Sequence, residues 1–169
     1  MKISGGISAI KPNTPKRLVG FMSLTLLCTT LIAFGQSSAK IGVVNLGGTG
    51  LGLDEIRETL VPKAIERKPS LIIFSGGMND SVNPDKLKSR AQLQREFTAI
   101  FTELKKAECP VIALTIPLAD EPQVLKYIDP ALYGPALPSN RIAMANSFIV
   151  EIAKANEIEV VDVNAAAAK

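Results

Sequence analysis

Residues 70–75 read Ser-Leu-Ile-Ile-Phe-Ser and run straight into Gly76-Gly77. A short run with apolar side chains at consecutive positions puts them on both faces of an extended chain, so it predicts a strand buried on both sides. A glycine pair at its end predicts a sharp exit. The same punctuation recurs along the chain. Residues 41–46 (IGVVNL) end in Gly47-Gly48-Thr49-Gly50, residues 111–116 (VIALTI) follow Cys109-Pro110, and residues 159–163 (EVVDV) come near the end. Each reads as a strand.

Helical spacing fills the intervals. Leu53, Ile56, Leu60, Ala64 and Ile65 form a first stripe, with Pro62 predicting a kink or split. Leu93, Phe97, Ile100, Phe101 and Leu104 form a second, and its helix is expected to start at Asn83-Pro84-Asp85 and run to about Ala107. Ala145, Phe148, Ile149 and Ile152 form a third, with Ser139 as the expected cap. Residues 117–138 hold five of the chain's eleven prolines and predict a long irregular loop. Strands alternating with helices predict an α/β domain with a parallel sheet covered on both faces.

The chain's formal charge of +3 sits at one end. Residues 1–39 contain Lys2, Lys11, Lys16 and Arg17 and no acid. The remainder holds 15 basic and 16 acidic residues, a net of −1, so nothing in it argues for nucleic acid. The four charges precede Leu18 to Phe34, a run of 17 uncharged, mostly apolar residues, and Ser37-Ser38-Ala39 then supplies small residues. That order predicts a signal peptide cut near Ala39 and an exported product, with an uncleaved membrane anchor as the alternative. One domain is expected over residues 40–169. Cys109 alone would remain after cleavage, too few for an internal disulfide.

Glycine turns at the carboxyl ends of parallel strands are where such sheets bind ligands. Two fall there, Gly47 to Gly52 and Gly76 to Asp80. A glycine N–H and the Asn79 amide aimed at one point would make an oxyanion hole. They also fit ordinary strand-to-helix turns in which Asn79 and Asp80 make local hydrogen bonds. A dinucleotide fingerprint fails, because Leu53 stands where the last glycine belongs, and no Gly-Lys-Ser is present.

Gly77-Met78-Asn79-Asp80 resembles the Gly-x-Asn-Asp block of the SGNH, or GDSL-type, hydrolases, and residues 43–49 (VVNLGGT) are similar to that family's glycine block. The resemblance covers about residues 40–164. It implies a flavodoxin-like three-layer α/β sandwich and hydrolysis of acyl esters, including O-acetyl sugars, with no metal and no organic cofactor. It further implies that Asn79 and Gly48 are oxyanion donors, with Gly47 as a second choice, and that Gly77 and Asp80 support them. The expected partner is a small-molecule or glycan ester; membrane contact is expected only through an uncleaved leader.

Two family blocks have no match. The Gly-Asp-Ser block would precede the glycine block, where the leader stands, and the Asp-x-x-His block would follow the last strand. Asp162 lies on that strand and does not match. Gly35-Gln36-Ser37 resembles a first block, which would make Ser37 the nucleophile, but only three residues separate it from the next strand. The chain contains no histidine. A serine hydroxyl needs a base to take its proton, so this chain is expected to be inactive by the family's route. The alternatives are an exported non-catalytic carbohydrate-binding or interaction module, or a product without a function of its own. Without the family's first strand, the sheet is expected to expose an edge through which copies could associate, and stability is expected to be marginal.

Overall fold

The structure is a computed structural model that describes residues 41–167. Three parallel strands form one sheet in the order β1 (Ile72–Phe74), β2 (Val111–Leu114), β3 (Glu159–Val161). The register pairs Ile72 with Val111, and Leu114 with Val161. Around them lie α1 (Leu53–Glu55), α2 (Val61–Glu66), α3 (Met78–Val82), α4 (Arg90–Leu104), α5 (Glu121–Leu125), α6 (Pro138–Ala155) and α7 (Val163–Ala167). The α/β class and the parallel sheet are as expected.

Residues 41–46 do not form the expected fourth strand. They lie outside any helix or strand, with Ile41 88% and Val43 86% exposed. Strand propensity alone does not make a strand, which exists only when a neighbour completes its ladder.

The core forms where the stripes meet one face of the sheet. Ile72 and Phe74 of β1 and Val111 and Ala113 of β2 are buried with Leu93, Phe97, Ile100, Phe101 and Leu104 of α4. Ala145, Phe148, Ile149 and Ile152 of α6 complete it. Phe74 and Phe101 meet edge to face, 5.4 Å between ring centres, a favoured aromatic arrangement. The opposite face differs from expectation. Leu71 and Ile73 are 45% and 62% exposed, and Val161 is 42% exposed, so the described residues do not complete a covering layer there.

Several element bounds also move. Pro62 does split the first helix: a π-helical turn, Ile56–Leu60, separates α1 from α2. A widened turn relieves the clash between the proline ring and the carbonyl four residues back. Asn83 caps only the 3-10 turn Pro84–Lys86, its side chain accepting from the Asp85 N–H. The long helix starts at Arg90, because Ser89 and Gln92 form a reciprocal capping box. Pro138, not Ser139, opens α6; the Ser139 N–H goes to Glu121 Oε2. The proline-rich stretch contains α5 and a 3-10 turn, Pro130–Tyr133, rather than being wholly irregular. The last strand stops at Val161, and α7 begins at Val163.

Candidate functional site

The turn after β1 is set by Gly77. Its φ of +99° lies in the left-handed region, and a Cβ there would sit 2.9 Å from Phe97 Cζ and 3.1 Å from Ile116 Cδ1. Glycine is therefore required twice over, by conformation and by space. It starts α3, whose first three residues are Met78, Asn79 and Asp80.

Asn79 and Asp80 do not make local bonds. The Asn79 amide donates to the Leu51 carbonyl at 2.8 Å. Asp80, fully buried, accepts the Leu53 N–H on both carboxylate oxygens at 3.0 and 3.1 Å. The two residues thus tie the turn after β1 to the glycine-rich turn 47–52 and to the first N–H of α1. Asn79 keeps one further N–H. In the glycine-rich turn, the Gly47 N–H is taken by Asn45 Oδ1 at 2.9 Å. Gly48 is exposed, and a Cβ on it would press on the Leu51 side chain at 2.9 Å. Gly48 and Asn79 therefore both lie against Leu51, one at its side chain and the other at its carbonyl.

A charged cluster supports this junction. The Lys88 ammonium lies 3.1 Å from Asp54 Oδ1 and 3.4 Å from Asp80 Oδ1. Burial pushes the Asp80 carboxyl above its ordinary range, and the Leu53 N–H and Lys88 offset only part of that. Burial also raises Asp54, but there Lys88 and the main-chain N–H groups of Glu55 and Asp54 together outweigh it, and the carboxyl is held below its usual range. Lys88 is lowered by burial and raised by its two carboxylates, with a net upward shift, so it stays charged. Beside it, Lys86 pairs with Glu55, whose carboxylate also accepts the Gly52 N–H at 2.7 Å.

Two residues not anticipated from sequence hold α3 at its other end. The Arg141 guanidinium donates to the carbonyls of Ser81 at 3.2 Å and Lys88 at 2.6 Å. The Tyr133 hydroxyl donates to the Val82 carbonyl at 2.6 Å. The Ser81 and Val82 carbonyls are orphans that a five-residue helix leaves behind, and the bond to Lys88 ties the segment before α4 to the same guanidinium. Nothing in the local sequence marks Arg141 or Tyr133, because each acts on main chain more than fifty residues away.

At the ends of β2 and β3 the polar groups satisfy one another. Asn146 exchanges two bonds with the Ile116 main chain at 2.7 and 2.9 Å. Asp162 accepts from the Ala165 N–H and the Thr115 hydroxyl, which hold its carboxyl below the ordinary range. A shallow groove between α2 and α4, lined by Val61, Ile65, Ala99 and Glu103, holds none of the expected site residues. Ser37, the leader and its cut near Ala39 lie outside the described residues.

The fold so described is that of known acyl-ester hydrolases. It superposes on a crystal structure of a lipase/acylhydrolase from Enterococcus faecalis with a TM-score of 0.62 and 21% identity, over 85% of this chain and 66% of that one. It also superposes on an acetyl xylan esterase, AlAXEase, with a TM-score of 0.59 and 16% identity, over 84% of this chain and 68% of that one. The chain spans about two thirds of the length of either structure. At these identities the likeness shows the fold, and it bears out the sequence resemblance at that level. No family model matches the chain, and no curated protein does.

Proposed function

We propose that residues 41–167 carry the oxyanion side of an ester-hydrolase site, built from Asn79 and the Gly48 N–H. The observation that carries this reading is the 2.8 Å bond from Asn79 to Leu51, which joins the two glycine turns across 28 residues. The engagement of the Gly47 N–H by Asn45 favours Gly48 as the main-chain donor. Both structural neighbours are described as ester or acyl hydrolases, which supports an acyl ester, including an O-acetyl sugar, as the ligand. The expected leader adds export to this reading.

The 169 residues contain no histidine, so no imidazole is available as base. An oxyanion hole without nucleophile and base retains only a small part of the catalysis. The chain accordingly binds such an ester without turning it over, which is the carbohydrate-binding alternative expressed at the same site. A serine-reactive fluorophosphonate probe is expected to leave the full chain unlabelled; stoichiometric labelling overturns the inactive reading. Titration with an acetylated xylo-oligosaccharide tests the pocket. Binding weakened by Asn79→Ala supports it, and binding that is absent, or unchanged by that substitution, overturns it.

A further inference from the structure

Among the described residues, two stretches have unpaired main chain of matching character. The first is the outer edge of β1. The Ile72 N–H donates to the Pro110 carbonyl at 3.0 Å, toward β2. Main-chain groups alternate sides along a strand, so those of Leu71, Ile73 and Ser75 point to the open edge. That edge carries no charge from Ser70 to Gly77, and Ile73 is 62% exposed beside it. The opposite edge of the sheet is different: β3 begins with an exposed Glu159, the kind of charge that protects an edge.

The second is residues 41–46. This segment is uncharged and β-branched, with apolar residues at both alternating sets of positions, Ile41 and Val43 on one face and Val44 and Leu46 on the other. A strand inserted in a parallel sheet needs apolar side chains on both faces. Yet it forms no ladder, and Ile41 and Val43 are 88% and 86% exposed.

We propose that two copies of the chain exchange these parts: residues 41–46 of each copy pair with the outer edge of β1 in the other. A two-fold exchange closes both open edges at once and stops at a dimer. It also lays Ile41 or Val43 beside Leu71 and Ile73, removing apolar surface that a monomer leaves in water. This inference does not depend on the ester-site reading, since none of Asn79, Gly48 or Asp80 takes part.

The test uses the full chain with Cys28 and Cys109 replaced by serine. One preparation carries Val43→Cys and another Ile73→Cys; they are mixed and treated with a short bis-maleimide. The expected result is a cross-linked species containing one chain of each kind. A third preparation carries Val43→Cys and Ile73→Cys in one chain: a cross-link that forms only within that chain overturns the exchange in favour of pairing within one copy, and no cross-link in the mixture or in the double variant also overturns it. Light scattering supplies the second readout. The native chain is expected to have twice the mass of Ile73→Lys, which faces solvent and leaves the core intact. Because both chains carry the same leader, a dimer that survives Ile73→Lys overturns the proposal.

Discussion

At the residue scale, the junction rests on atoms that admit no substitute. Gly77→Ala forces a side chain into the left-handed region and against Phe97, so it is expected to cost about 2–4 kcal/mol, read as a lower urea midpoint. Asp80 gives a pH signature. Burial raises its folded pKa above the ordinary 3.8, so the folded chain keeps a proton that the unfolded chain releases. The stability it contributes is present below about pH 3.8 and is lost as pH rises through the folded value. Asp80→Asn removes that titration. The unfolding free energy of the native chain relative to Asp80→Asn is therefore expected to fall as pH rises from about 3.5 to about 7. A difference that grows with pH would mean that Lys88 dominates over burial. The motif Gly77-Met78-Asn79-Asp80 could be read from sequence, but its partners could not. Leu51 and Leu53 reach it through their own main-chain atoms, and Arg141 and Tyr133 bind main-chain carbonyls of the same helix, so the pairings leave no trace in residue type.

At the element scale, local chemistry competes with itself and the better-satisfied start wins. Asn83-Pro84-Asp85 carries every mark of a helix start and yields only a 3-10 turn. Ser89 and Gln92 satisfy two donors reciprocally and begin α4. Ser89→Ala is expected to cost about 1 kcal/mol and to speed amide exchange at residues 90–93, whereas Asn83→Ala leaves that turn unchanged. Equal effects from both would show that the helix is continuous from Asn83. Every residue of the two expected stripes is buried on α4 and α6, because 3.6-residue spacing is a local property; Glu96, Pro138, Ile142 and Ala153 are buried beside them without having been expected. Lys68, Glu108 and Glu157 follow helical segments in left-handed conformation without glycine, which is why glycine spacing did not mark those ends.

For the whole molecule, the fold depends on one packed face of a small sheet. Phe101 joins α4 to β1 through Phe74 and packs on Phe97. Phe101→Ala is expected to cost about 3–5 kcal/mol. With the other sheet face only partly covered by the described residues, that loss is expected to abolish the cooperative thermal transition by circular dichroism; a transition retained within a few degrees would show a core that does not depend on this contact. The sequence by itself determined the α/β class, the strands around residues 72, 112 and 160, the helix stripes and the glycine–asparagine turn. These follow from periodicity and backbone freedom, which act over a few residues. Only the tertiary structure decided that residues 41–46 form no strand, that the described residues cover one sheet face only in part, and that Asn79 and Asp80 bind a turn almost thirty residues away. Each of those outcomes depends on which surfaces find a partner, and pairing is a property of the assembled chain rather than of any segment in it.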